Sequence, residues 1–230
     1  MGFKDKAVAL LEGSITKHAA ILEVRAWDKG TFFEIGLHLP DADFSRYDGA
    51  MHLSCRVPPL TFRDYTVTAW DAETKTCSLL IDAAHDGLGS AWVKTLENGG
   101  NVTYIHIESH RQPPLQTGRI LFLGDQSAIG HFLALQQLAG GNPAISGAVI
   151  IPDSVHRKQL KYFYPDLTLI PIPLQRSYSQ TLTDWLRQQP LNDFEFICIA
   201  GHIPMVVDTR RYLKNTGVSS AKIKAEGFWK

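Results

Sequence analysis

The sequence predicts a two-domain chain, an antiparallel β-barrel followed by an α/β domain on a parallel sheet. Three observations predict it. Short apolar runs separated by polar turns fill residues 20–84. From Arg119 onward, short apolar runs alternate with helical patterns, the order of a parallel sheet with crossover helices. Between them, residues 110–118 hold Pro113, Pro114 and Gly118, which divides the chain into 1–114 and 115–230.

Each element has its own signal. Ala7, Leu10 and Leu11 stand at helical spacing and predict a short helix over residues 3–11. Two apolar runs, 21–27 and 32–39, flank Asp28-Lys29-Gly30 and predict a hairpin. Met51, Leu53, Cys55 and Val57 alternate with other residues, as in a half-buried strand. Strands over 65–70 and 77–82 follow, joined by the polar turn 71–76. Antiparallel strands at this spacing suggest a small barrel. A helix is predicted over 90–96 with Ser90 as its N-cap. The second half reads as strand 120–123, a helix carrying Ile129, Phe132, Leu133 and Leu138, and strand 147–151. Helix 154–163, strand 167–170, helix 182–188, strand 194–200 and helix 204–215 complete it. Residues 221–226 are a candidate last strand.

Composition narrows the function classes. The 230 residues are 44% hydrophobic and 20% charged, with a formal net charge of zero. That is an ordinary globular balance and gives no support for binding nucleic acid or a membrane surface. No apolar run approaches the ~20 residues of a membrane span, and residues 1–6 lack the basic start and apolar block of a secretory signal. Cys55, Cys77 and Cys198 are scattered singly. They cannot build a four-thiolate cluster and read as small core residues of a protein kept in a reducing cytoplasm. His106, Glu108 and His110 alternate along one predicted strand. With no fourth ligand evident they read as a solvated edge strand, and no metal site is expected.

Two segments carry the chemistry. Arg63-Asp64-Tyr65-Thr66 offers a cation, an aromatic face and a hydroxyl at the end of the β-rich run. His85-Asp86-Gly87-Leu88-Gly89-Ser90-Ala91-Trp92 offers glycines and a serine where a helix begins. Arg63 suits a bidentate contact to phosphate. Gly89 and Ser90 suit an anion at a helix start, or simply cap a helix. Trp92 is either close to a ligand or a core tryptophan, and His85 either contacts a ligand or closes a strand. In the second half, Gly124-Asp125-Gln126-Ser127 follows a strand and opens a helix, where nucleotides bind parallel sheets. Asp153 after the next strand would favour NADH, whereas Arg157 and Lys158 would suit a 2′-phosphate; both remain open.

Together the two segments resemble the FAD-binding motifs of the siderophore-interacting protein family, NAD(P)H-dependent ferric-siderophore reductases with a ferredoxin-reductase-like fold. Leu123–Ala128 resembles the family's Gly-Asp-Glu-Thr-Ala, and Gly227-Phe228-Trp229-Lys230 resembles its Gly-Tyr-Trp-Arg. Gly201-His202 departs from its usual Gly-Glu. The resemblance implies a first domain binding FAD and a second binding NADPH or NADH. It implies Arg63 on a flavin phosphate, Tyr65 against the ring or ribityl chain, and Thr66 bonding the ring near N5 as the catalytic contact. It also implies Ser90 and the backbone near Gly89 at the FAD pyrophosphate, with Trp92 close to the cofactor. His85 is a candidate contact on the adenosine side, and Gly124, Asp125 and Ser127 are candidates at the nicotinamide nucleotide, with Gly124 and Ser127 at its pyrophosphate. Lys222 and Lys224 would steer an anionic ferric siderophore, or form a solvated charged edge. The implied activity is reduction of chelated ferric iron by a cytoplasmic, monomeric protein. A general NAD(P)H:flavin oxidoreductase and a non-catalytic flavin or siderophore binder are the alternatives.

Overall fold

The structure is a computed structural model that describes residues 16–46, 48–109, 117–141 and 143–230. The helix expected over 3–11 and His110 lie outside them. The chain divides into two compact units: Met1–Ala26 with Gly30–Arg111, and Trp27–Lys29 with Gln112–Lys230.

The first unit is a closed antiparallel barrel of six strands in the order β1-β2-β5-β4-β3-β6. β1 (Lys17–Ala26) and β2 (Phe32–His38) form the expected hairpin across Asp28–Gly30. β3 (Met51–Val57), β4 (Thr61–Asp71), β5 (Thr76–Asp82) and β6 (Asn101–Ser109) complete the wall. Inward-facing Ile35, Leu37, Leu53, Cys55, Val57, Val67 and Leu79 are fully buried and make the core. Burying apolar surface at about 25 cal/mol per Å² is the main force holding such a barrel. β3 differs from its expected half-buried pattern, because His52 and Ser54 are buried as well. β6 is no edge strand: it pairs with both β1 and β3 and closes the barrel. Its His106 and Glu108 stay about half exposed, 3.6 Å apart.

The second unit is a five-stranded parallel sheet in the order β11-β10-β7-β8-β9. Its strands are β7 (Arg119–Asp125), β8 (Ala144–Ile150), β9 (Leu169–Ile172), β10 (Phe196–His202) and β11 (Ile223–Trp229). After α1 (Leu88–Val93) in the barrel unit, the helices here are α2 (Ile129–Ala139), α3 (Ser154–Phe163), α4 (Tyr178–Leu186) and α5 (Ile203–Asn215). The central strand is apolar on both faces, as parallel sheets require. Leu121 and Leu123 join Ile150, Ile199, Leu182 and Met205 in one cluster, while Phe122 stacks on Phe132 of α2, centroids 4.8 Å apart. α4 starts four residues before its expected place because Ser177, not an apolar residue, sets its start: its hydroxyl accepts the Gln180 N–H at 3.1 Å.

All three cysteines are buried and unpaired. Burial pushes the Cys77 and Cys198 thiols up to about 12, and raises Cys55 as well, with Cys77 and Asp64 adding to the effect.

Candidate functional site

In the barrel, the pleat of β4 divides the motif. Arg63 and Tyr65 stand opposite Cys55 and Leu53 of β3, whereas Thr66 stands opposite His52. Successive strand residues face opposite sides, so Arg63 and Tyr65 share one face and Thr66 lies on the other. Arg63 is exposed and donates through Nη1 to the Thr61 hydroxyl at 3.0 Å and the Phe62 carbonyl at 2.8 Å. Both acceptors are neutral. A guanidinium has five N–H donors in a fixed fork, so the cation keeps capacity for an anion.

The two motifs converge. A Cβ on Gly89 would lie 2.5 Å from the Tyr65 hydroxyl oxygen and 3.9 Å from Arg63 Cγ. Only bare backbone fits there. Tyr65 also stacks on Trp92, centroids 5.6 Å apart and planes at 22°. Burial, with a smaller contribution from Cys55 and partly offset by the Arg63 cation, raises the Tyr65 phenol well above its ordinary value, so it stays neutral at physiological pH. Trp92 belongs to the barrel core, and half-buried His85 precedes the helix. Ser90 is not the N-cap. α1 starts at Leu88, with extended Gly87 before it accepting the Ala91 N–H at 2.9 Å. That places Ser90 inside the first turn with its side chain buried.

In the second unit, the chain runs β7, β8, β9 to one side, then returns to place β10 and β11 on the other side of β7. The crevice at the carboxyl ends of β7 and β10 is therefore the switch point where ligands bind such sheets. Asp125 ends β7 and is only 1% exposed. Its Oδ1 accepts the Ser127 N–H at 2.9 Å and the Ser127 hydroxyl at 2.5 Å, and its Oδ2 accepts the His202 N–H at 2.6 Å. These bonds change the sequence reading of this turn. Asp125 is sealed from any ligand, and the Ser127 N–H and hydroxyl proton are already used. Gly124 is needed for packing, since a Cβ there would meet the Ala200 carbonyl at 2.7 Å and Phe132 at 2.9 Å.

Burial raises the Asp125 carboxyl above its ordinary value, partly offset by the bonds from Ser127 and His202 and by the Trp229 indole. The folded state then holds the proton more tightly than the unfolded chain. Its stabilising effect is full below the ordinary value of about 4 and is lost as pH rises through the raised one. Urea titrations from pH 4 to 8 should show wild type losing stability relative to Asp125→Asn across that window. A pH-independent difference would refute a raised Asp125.

Around the crevice lie residues that sequence reading did not assign. Tyr178, His202 and Trp229 form a ring cluster, with His202–Trp229 centroids at 4.5 Å, Tyr178–His202 at 5.2 Å and Tyr178–Trp229 at 5.7 Å. Gly201-His202 and Trp229 stood out only as landmarks, and Tyr178 gave no signal. On the α2 side of β11, His131 is buried 3.5 Å from Glu226 and edge-on to Phe228. Asp153 caps α3 through the Val155 and His156 N–H groups and pairs with Lys29 at 2.7 Å. The Lys29 bond is the main cause holding its carboxyl down at about 2. Arg157 folds onto the Ile151 and Pro152 carbonyls at 2.7 and 2.9 Å.

Lys222 and Lys224 depart from their expected geometry. β11 starts at Ile223, so Lys222 belongs to the 3-10 turn before it and donates to the Phe194 carbonyl at 2.9 Å. Lys224 lies over the Phe196 ring, 5.7 Å from its centroid. Both occupy the amino end of β11, away from the carboxyl-end crevice.

A closed antiparallel barrel joined to a parallel sheet of this order is the ferredoxin-reductase-like fold. The chain shares it with the siderophore-interacting protein SipS from Aeromonas hydrophila, at a TM-score of 0.74 and 17% identity, covering 93% of this chain and 91% of that one. The siderophore-interacting protein from Acinetobacter baumannii superposes at 0.73 with 14% identity, over 93% and 90%. Phthalate dioxygenase reductase, described as a modular structure for electron transfer from pyridine nucleotides to a two-iron, two-sulfur centre, gives 0.71 with 12% identity, over 94% and 68%. No family profile matches the chain, and no curated protein matches it. Among the described residues, no helix is long and apolar enough to cross a membrane.

Proposed function

We propose that the chain is a flavin-dependent reductase that takes hydride from NADPH or NADH onto FAD and reduces ferric iron in a siderophore, releasing ferrous iron. The observation that carries this reading is the convergence of Arg63, Tyr65 and Gly89. The residues fit FAD: Gly89 leaves bare backbone beside the Tyr65 hydroxyl, and Arg63 spends Nη1 on two neutral acceptors. When bound, FAD supplies conversion of a two-electron input into single-electron outputs, so one hydride serves two ferric ions. The chain's own residues bind and orient. Arg63 holds a phosphate, Tyr65 on its Trp92 support gives a flat apolar face, and the Gly89–Ser90 backbone lines the approach. Thr66 is retained as a hydrogen-bond partner of the ring, on the face of β4 opposite Tyr65. The β7–β10 crevice takes the nicotinamide nucleotide, and a cytoplasmic location follows from that donor. The fold shared with siderophore-interacting proteins supports a ferric siderophore as acceptor. Steering by Lys222 and Lys224 is not carried forward, because both are engaged at the other end of β11.

Anaerobic spectroscopy of the purified chain tests the reading. Flavin absorption near ~450 nm is expected, bleached by NADPH or NADH and restored by a ferric siderophore, with ferrous iron trapped by a ferrous-specific chelator. Protein that stays colourless after incubation with FAD would exclude the flavin site. Bleaching without reoxidation by the ferric chelate would leave a reductase with another acceptor. Bound flavin that no pyridine nucleotide bleaches would leave a binding protein. Arg63→Ala should weaken FAD retention by about 1.5–3 kcal/mol, roughly 10- to 150-fold.

A further inference from the structure

We propose that Asp125 is the positioning residue of the crevice: its buried carboxylate fixes Gly201 and His202, and with them the Tyr178–His202–Trp229 surface on which the pyridine ring of the nucleotide stacks. This rests on the reading above that the β7–β10 crevice takes NAD(P)H.

Three observations carry it. The carboxylate of Asp125 is sealed, so it touches no ligand itself, and a carboxylate facing a pyrophosphate would repel it. Both of its oxygens are committed, Oδ1 to the turn after β7 and Oδ2 to the His202 N–H. One side chain thus ties together the ends of the two strands that flank the switch point. It also fills the place of a side chain on Gly201, whose Cβ would fall 2.5 Å from Oδ2. His202 is the residue before α5, so fixing its N–H fixes both the helix start and the origin of the imidazole. The imidazole packs 4.5 Å from Trp229, and Tyr178 stands edge-on to that indole at 89°. Tyr178 opens α4, which Ser179 ties to α5 through Asp208 at 2.8 Å. Each ring of the cluster is therefore carried by an element end, and the Asp125–His202 bond joins that cluster to the central strand. The three rings are inclined to one another by 42–89°, so a planar pyridine ring would meet one of them face to face and the others edge-on, both favoured aromatic geometries.

The experiment combines amide hydrogen exchange with calorimetric titration by NADP⁺ and NAD⁺, neither of which reduces the protein. In Asp125→Ala, exchange at the His202 amide should accelerate roughly 100-fold while β8 amides stay protected. Affinity for the preferred dinucleotide should fall roughly tenfold, with the flavin content of the purified protein unchanged. Asp125→Asn keeps one acceptor oxygen and should fall between the two. Ser127→Ala should leave His202 exchange near wild type, because it removes only the hydroxyl donor to Oδ1 and leaves the Oδ2 bond to His202. If Asp125→Ala does not fold, the Asn variant carries the same comparison. Unchanged His202 exchange overturns the proposal, and so does accelerated exchange with unchanged dinucleotide affinity. A wild-type protein that protects the His202 amide yet binds neither dinucleotide overturns the nucleotide reading itself, and the stacking role falls with it.

Discussion

Gly201→Ala should lower the unfolding free energy of the second unit by about 3–5 kcal/mol in urea titration. Two costs add. The backbone at Gly201 sits at φ +117, a region that costs a residue with a side chain on the order of 1–3 kcal/mol. The new methyl group would also lie 2.5–2.7 Å from three atoms of the Asp125 carboxylate. Displacing that side chain weakens the bonds it accepts from Ser127 and His202, about 0.5–1.5 kcal/mol each. Gly140→Ala provides the comparison. Gly140 ends α2 at φ +64 with nothing within 4 Å of an added Cβ, so only the conformational cost of about 1 kcal/mol applies. Equal losses for the two variants would show that the Asp125 contact contributes nothing.

On the proposed reading that the barrel binds FAD, Gly89→Val should abolish flavin retention while the barrel stays folded. An added Cβ falls 2.5 Å from the Tyr65 hydroxyl oxygen, and valine adds two more methyl groups. The phenol is stacked on Trp92, so it cannot move without losing that contact. Overpacking of this kind costs about 1–3 kcal/mol of stability, within reach of an intact barrel. Its effect on a bound ring is larger, because Tyr65 would be pushed into the space the ring needs. A thermal melt with the flavin content of the purified variant checks both parts. Near-full flavin with an unshifted melt would show that Gly89 does not border the site.

The architecture was legible because it rests on local patterns. The alternation from Met51 to Val57 and the apolar run from Ile120 to Leu123 each imply one type of strand, and the 28–30 turn joins its neighbours only as a hairpin. Helix starts were less legible. Ser90 is a favoured capping residue type, yet the extended backbone at Gly87 ends the loop sooner, and α4 is opened by the Ser177 hydroxyl rather than by its first apolar residue. The candidate site was legible as residue types and not as contacts. Arg63, Tyr65 and Thr66 are nearly consecutive, and reading them as one surface overlooks the pleat that sends Thr66 to the other side. The bond from Asp125 to His202 spans 77 positions, and no periodicity reports it. Asp125 therefore looked like a ligand contact, whereas its side chain is buried and accepts from Ser127 and His202. Lys222 and Lys224 were placed by strand alternation, but the strand begins between them.

The buried thiols have a practical consequence. A thiol held at about 12 is ionised at pH 7 in only about one part in 10⁵, and the thiolate is the form that reacts with peroxide or alkylating agents. Cys77 and Cys198 are thus inert in the folded chain and reactive only once it opens. A maleimide added during handling would label the unfolded fraction alone, which makes these cysteines a built-in reporter of integrity.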